Sequence, residues 1–445
     1  MKMKWLKKIG ITLAVLTALV FISIDRVDES PIVNSEPYNS TLKSIDESIF
    51  THVKVDEEMK VGWSKVNITP DHATRMAGFM RKNFDSVHDS MFVRTMVFDL
   101  GEKKVVWLTY DLIFVHPYLK NAILDEVQKQ GLADFVYLSA THTHHSIGDW
   151  GKDPLTRVLY GYDQEIFDGL IDQGIESIKN AVSDVETAKA GYFRYNESRV
   201  VRNRVDGEHG IVDPFIRGFK VEKESGEKAC LYTFSAHPTS ISVYATFLTG
   251  DYPAEVNDRL EKDKVDFAMF TAGATASMRA KYLDIFDYEA IDWFSDRFLQ
   301  NFDHSFDSLE LKPFMEVSFG KVPVFFRQPN LRILDNWRIR PWLVKLVVDQ
   351  KEPFVAVLKF DNTVCMGLPV EFSGELMLQL DEKYKQQDIN LIVTGLNGNY
   401  LGYVNRDCYY HTEQDEEVSL LNWYGPEVGN YFRTIIEEIV DKKIK

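Results

Sequence analysis

The chain has 445 residues, 45% of them hydrophobic and 13% aromatic, enough to bury a sizeable core in one large domain or two smaller ones. Its formal net charge of -16 argues against nucleic acid as a partner, which would meet repulsion instead of counterion release. Cys230, Cys365 and Cys408 are odd in number and far apart, so they set up neither a disulfide framework nor a zinc knuckle.

At the N-terminus Lys2, Lys4, Lys7 and Lys8 precede an uncharged apolar run over 9–24. That run is long for a signal-peptide core and short for a comfortable membrane span, and no small-x-small cleavage site follows it. The expectation is an uncleaved export anchor over 1–26. Its positive flank would stay inside, with an acidic body beyond the cytoplasmic membrane; cleavage would make that body secreted. Ser, Asp, Glu, Asn and Pro then dominate, which predicts a tether over 27–59 and a folded body over 60–445.

The body opens with an alternating strand over 61–68, ended by Pro70. Two apolar runs, 92–98 and 105–110, read as strands paired around Gly101, and 118–130 has helical periodicity. Next comes Phe135-Val136-Tyr137-Leu138, too short for a helix, leading into Ala140-Thr141-His142-Thr143-His144-His145. Residues i and i+2 of an extended chain project from one face, so His142 and His144 are expected to aim at one spot at a strand end. Such a pair suits a metal ion, and histidine carries protons near neutral pH; loop histidines on the surface are the alternative.

An amphipathic helix is expected over 163–180. Arg202, Asn203 and Arg204 follow in a loop that suits either a polar substrate group or solvent. Further strands deliver His237 in Ala236-His237-Pro238, Ser277 in a turn of small residues, Glu371 in Pro369-Val370-Glu371, and Tyr403 after Asn397-Gly398-Asn399. Trp337-Arg338-Ile339-Arg340-Pro341-Trp342-Leu343-Val344-Lys345 concentrates tryptophan and positive charge, a composition that suits either a membrane–water interface or a packed segment with exposed arginines. Polar residues at successive strand ends are how an α/β scaffold assembles a site. The fold expected is α/β, with layered mixed β-sheets flanked by helices in a single large catalytic domain.

These stretches, in this order, resemble the neutral/alkaline non-lysosomal ceramidase family. The points of likeness are the opening Gly62-Trp63-Ser64-Lys65-Val66-Asn67-Ile68-Thr69-Pro70, the Ala140-Thr141-His142-Thr143-His144 signature and the Asn203-Arg204 loop. Ala236-His237-Pro238-Thr239-Ser240, Leu368-Pro369-Val370-Glu371-Phe372 and Gly402-Tyr403-Val404 continue the series. The resemblance implies one Zn2+ held by His142, His237, Glu371 and Tyr403, with Ser277 as the active-site serine. His144 would move protons or stabilise an oxyanion, and Asn203 and Arg204 would fix a polar head. Glu375, one helical turn beyond Glu371, is the rival carboxylate, and His88 and His145 are expected to be structural or at the rim. The implied reaction is hydrolysis of an N-acyl amide bond in a ceramide-like lipid, with a membrane surface as partner. Thr275-Ala276 and Met278 flank Ser277 where the family usually has Gly-Asp and Pro. An esterase or acyl-amino-acid amidase on the same scaffold, and a non-catalytic surface-anchored binding protein, are the alternative readings.

Overall fold

The computed structural model describes residues 2–445 apart from 56–58, 79–81, 282–284, 286, 303–304, 335, 349–351 and 414. Two sheets pack face to face. The larger has eight strands in the order Phe267–Ala272, Lys228–Phe234, Phe215–Lys223, Glu186–Asn196, Lys60–Asn67, Phe92–Asp99, Lys104–Tyr110, Phe135–Ala140. The smaller runs Thr51–Lys54, Glu316–Pro323, Phe354–Phe360, Thr363–Gly367, Asn390–Thr394. Phe98, Trp107, Tyr137 and Phe219 of the first meet Phe319, Leu358, Phe360 and Cys365 of the second in one apolar core.

Helices Pro117–Gln130 and Gln164–Ser183 cover part of the outer face of the large sheet, and Asp251–Asp263 and Asp287–Leu299 cover the rest. Gly374–Lys385 and Val428–Ile439 cover the small sheet. Strands covered on both sides read as unbroken apolar runs, which is why Phe135–Ala140 is buried at every position. The helices carry their own punctuation. Asp163 caps Gln164–Ser183 through the N–H groups of Glu165 and Ile166, and Gly131 closes Pro117–Gln130 at φ 62°. The layered α/β expectation holds.

Three parallel strand pairs matter most. Lys104–Tyr110 lies parallel to Phe135–Ala140, Lys228–Phe234 to Phe267–Ala272, and Thr363–Gly367 to Asn390–Thr394. The first two pairs form opposite edges of the large sheet, yet those edges meet: the Thr109 and Thr271 hydroxyls are 2.9 Å apart, and Trp107 Nε1 donates to Thr271 at 3.2 Å. Tyr137 reaches across to Thr394 at 2.7 Å, tying in the third pair. The C-terminal ends of all three pairs therefore discharge their loops into one place.

The expected tether is corrected. Glu36–Glu47 is a helix, capped by Ser35 and burying Thr41 and Ile45, and Thr51–Lys54 pairs with Glu316–Phe319 as an edge strand. Its apolar stripe is thin enough that average composition hides it, although the periodicity is helical. Residues 56–58 of that stretch lie outside the described residues. The N-terminal run forms the helix Lys2–Ser23, and among the described residues no helix is long and apolar enough to cross a membrane.

Candidate active site and metal cluster

His142 lies two residues beyond the end of its strand, with φ 65°, so the extended-chain spacing argument is not what aims it. A left-handed turn swings the ring instead, and its Nε2 still comes to 3.3 Å from Nε2 of His144. The Nδ1–H of His142 donates to the Ile113 carbonyl at 2.7 Å, in the loop after Lys104–Tyr110. His237, after Lys228–Phe234, donates its Nδ1–H to the Met278 carbonyl at 2.8 Å. Fixing Nδ1 on a carbonyl leaves each Nε2 lone pair free to ligate, as in structured metal sites.

Glu371 supplies the carboxylate. Its Oε2 lies 2.9 Å from His237 Nε2 and 3.3 Å from His142 Nε2. The short strand Glu371–Phe372 pairs in parallel with Tyr403–Val404, so Glu371 and Tyr403 are register partners, and the Tyr403 hydroxyl is 3.2 Å from His237 Nε2. All four donors are buried. His142, His144 and His237 alone place ligand atoms within 4.8 Å of one another, a cluster that could hold a metal ion.

The electrostatics fit a cation. Burial, with Arg204 nearby, pushes His237 down to about 4, so it is a neutral ligand near pH 7. Burial also holds His144 well below the usual imidazole range. Burial opposes the charge on Glu371, but His142 and His237 outweigh it and keep the carboxyl well below its usual range. Burial, aided by Glu371, pushes the Tyr403 phenol well above its usual value. A buried carboxylate and phenol beside neutral imidazoles are groups that a bound cation would satisfy.

Ser277 lies one residue before the Met278 carbonyl that holds His237. It is fully buried at φ 64°, left-handed backbone that costs a non-glycine residue roughly 1–2 kcal/mol. Three groups hold the turn. Glu417 accepts the Ser277 N–H at 2.9 Å, the Ser277 carbonyl accepts the Arg204 N–H at 2.8 Å, and Asn405 Nδ2 donates to Ser277 Oγ at 3.1 Å. Arg204 Nε in turn donates to Glu417 Oε2 at 2.7 Å, and its guanidinium stands 5.5 Å from the Tyr403 ring centre. The arginine thus bridges the serine turn and the metal cluster.

Asn203 is engaged by its own loop. Its Nδ2 donates to the Ile211 carbonyl at 2.9 Å, and its Oδ1 accepts the N–H groups of Val205 and Asp206, each at 2.9 Å. Its amide braces the loop that presents Arg204. Glu375 is turned away from the cluster, accepting the Tyr409 hydroxyl at 2.8 Å. His88 stacks on Tyr288 at 3.6 Å, and His145 Nε2 bonds the Ser242 carbonyl. Sequence reasoning passed over Glu417 and Asn405. Glu417 sits in the run Asp415-Glu416-Glu417, which reads as a solvated face although it is 1% exposed.

A cavity of about 620 Å³ has a mainly apolar wall, including Phe114, Leu155, Leu159, Leu343, Tyr400 and Trp423. Phe114 follows the Ile113 that holds His142, and Tyr400 precedes Tyr403 by three residues. The same two loops therefore build the slot and the cluster.

Residues 59–278 match the family model described as neutral/alkaline non-lysosomal ceramidase, N-terminal. The fold is similar to the crystal structure of neutral ceramidase from Pseudomonas aeruginosa, at 16% identity and a TM-score of 0.73, over 86% of this chain and 74% of that one. It is similar also to a ceramidase complexed with C2, at 16% identity and a TM-score of 0.72, over 86% and 75% of the two chains. No curated protein matches significantly. Residues 59–278 of the chain belong to the neutral/alkaline non-lysosomal ceramidase family, and the likeness of fold extends over 86% of the chain.

Proposed function

We propose that the chain is a zinc-dependent hydrolase of an N-acyl amide bond whose substrate is a ceramide-like lipid. The observation that carries this reading is the convergence of His142 Nε2, His237 Nε2, Glu371 Oε2 and Tyr403 OH from the ends of three strand pairs. Two imidazoles, a carboxylate and a phenol are a donor set that suits zinc, and they would hold it. When bound, such an ion supplies Lewis-acid polarisation of a carbonyl and acidifies water.

The chain's own residues do the rest. Arg204, held by Glu417, presents a fixed positive charge to the polar head of the amide. Neutral His144 is placed to take or return a proton at Nε2. Ser277 acts as nucleophile or positions the attacking water, its Oγ oriented by Asn405 and by Ser373 at 3.3 Å. The slot accepts the acyl chain, and its apolar wall favours an acyl lipid over the soluble acyl-amino acid of the alternative reading. The Lys-rich flank of the N-terminal helix motivates a body held outside the cytoplasm.

The test is zinc content of the purified chain together with hydrolysis of an N-acyl sphingosine panel. One zinc per chain and zinc-dependent turnover of long-chain amides are expected. Turnover that survives complete zinc removal, or confined to short acyl-amino acids, would overturn the reading.

A further inference from the structure

The strand Ile24–Arg26 pairs antiparallel with Trp337–Ile339, with Ile24 opposite Ile339 and Arg26 opposite Trp337. Arg340 completes the clamp: its N–H donates to the Ser23 carbonyl at 2.9 Å and its Nε to the Ile24 carbonyl at 3.0 Å. The Arg26 guanidinium lies 4.3 Å from the centre of the Trp337 ring. The C-terminal end of the helix Lys2–Ser23 is thus fastened to the segment that runs directly into the helix Pro341–Val347.

That second helix has two apolar faces. Leu343 and Val344 line the slot, whereas Trp342 and Leu346 point outward, 50% and 63% exposed. On the first helix Trp5, Ile11, Leu13 and Phe21 are each more than half exposed. Apolar side chains in this number need a cover other than water. Charge identifies it. Arg26 lies over Trp337, and Arg338, Arg340 and Lys345 flank Trp337 and Trp342 in sequence, with Asp25 paired to Arg340 at 3.8 Å, in a chain of net charge -16. Basic groups interleaved with tryptophan match an anionic headgroup layer over an acyl layer.

We propose that the clamped strand and the helix Pro341–Val347 form one docking element. It seats on an anionic phospholipid bilayer with the slot beneath it, so that an acyl lipid passes from bilayer to slot without crossing water. The inference rests on the reading of the slot as acyl-binding. Because the N-terminal segment is strand-paired to the slot's own wall, the orientation on the membrane is fixed and does not vary as it would on a flexible tether.

The test uses the full chain in a Cys408→Ser background, with Leu346→Cys carrying an environment-sensitive fluorophore and Glu176→Cys as a control. On vesicles of phosphatidylglycerol and phosphatidylcholine the probe at position 346 should shift to the blue and be quenched by brominated lipid, and the control should not. A 346 probe that stays in water while the chain is vesicle-bound overturns the proposal, as does equal binding to vesicles of phosphatidylcholine alone. So does a concentration-dependent dimer that shields the probe without lipid. The double variant Trp342→Ser, Leu346→Ser should lower turnover of bilayer-presented amide by about tenfold or more, leaving a short-chain soluble amide within about twofold. Equal loss on both substrates overturns the proposal. A lipid-dependent shift in a chain that hydrolyses no amide would leave the docking element standing and remove the catalytic reading.

Discussion

Glu417 accepts the backbone N–H of Ser277 at 2.9 Å, across 140 positions of sequence. The same carboxylate accepts Asn405 Nδ2 at 2.7 Å and Arg204 Nε at 2.7 Å, so one buried acid sets the serine turn and the arginine beside the metal cluster. Burial pushes its carboxyl up to about 7 against the pull of Arg204. This chain lacks the Gly-Asp that usually precedes the family's serine, and Glu417 meets the same turn from another segment.

Glu417→Gln keeps the shape and an acceptor for the Ser277 N–H but removes the charge facing Arg204. It should lower kcat by about 10–100-fold, change KM less, and leave bound zinc unchanged. Kinetics with a metal assay check this. A matching loss of zinc, or unfolding seen by circular dichroism, would place Glu417 in the scaffold alone.

His237→Ala removes a ring held by Met278 on one side and facing Glu371 and Tyr403 on the other. Zinc affinity should fall by more than the roughly 10–100-fold typical of residues that only orient ligands. Metal analysis after dialysis decides it, and full occupancy in the variant would remove His237 from the ligand set.

Asn203→Ala should act on stability before it acts on substrate. The side chain is 2% exposed and makes three hydrogen bonds to its own loop, each contributing about 0.5–1.5 kcal/mol. Denaturant titration should show a loss of about 1–3 kcal/mol. A stable variant with raised KM alone would restore Asn203 to direct substrate contact.

Lys120 gives a pH dependence with a defined sign. It is 2% exposed, 4.7 Å from the Phe354 ring centre, and burial next to Lys321 pushes its ammonium from 10.5 down to about 8. A lysine lowered on folding weakens the fold while it is charged. That cost is fully present below about 8 and is relieved as pH rises towards 10.5. Lys120→Met should therefore raise stability near pH 7 by about 1–3 kcal/mol and abolish the relative gain at alkaline pH. Chemical denaturation at the two pH values checks both parts. Lower stability near pH 7 would mean that the contact with Phe354 outweighs the burial cost.

The sequence by itself determined the layered α/β architecture and the candidate ligands. Both rest on local signals: apolar runs bounded by turns, and polar residues at the ends of those runs. His142, His237, Glu371 and Tyr403 each follow such a run, and the tertiary structure brings all four together. Where the signal was an average over a window it failed, as for the helix Glu36–Glu47, whose few buried residues vanish in a polar composition. Only the tertiary structure decided that Glu417 meets the serine turn, that Asn203 braces its own loop, and that Ile24–Arg26 pairs with Trp337–Ile339. Those facts depend on partners up to 316 positions apart, as from Arg340 to Ile24. A side chain's type and its neighbours in sequence say what it can bond. Which bond it makes is set by the sheet order and register that bring distant segments within 3 Å.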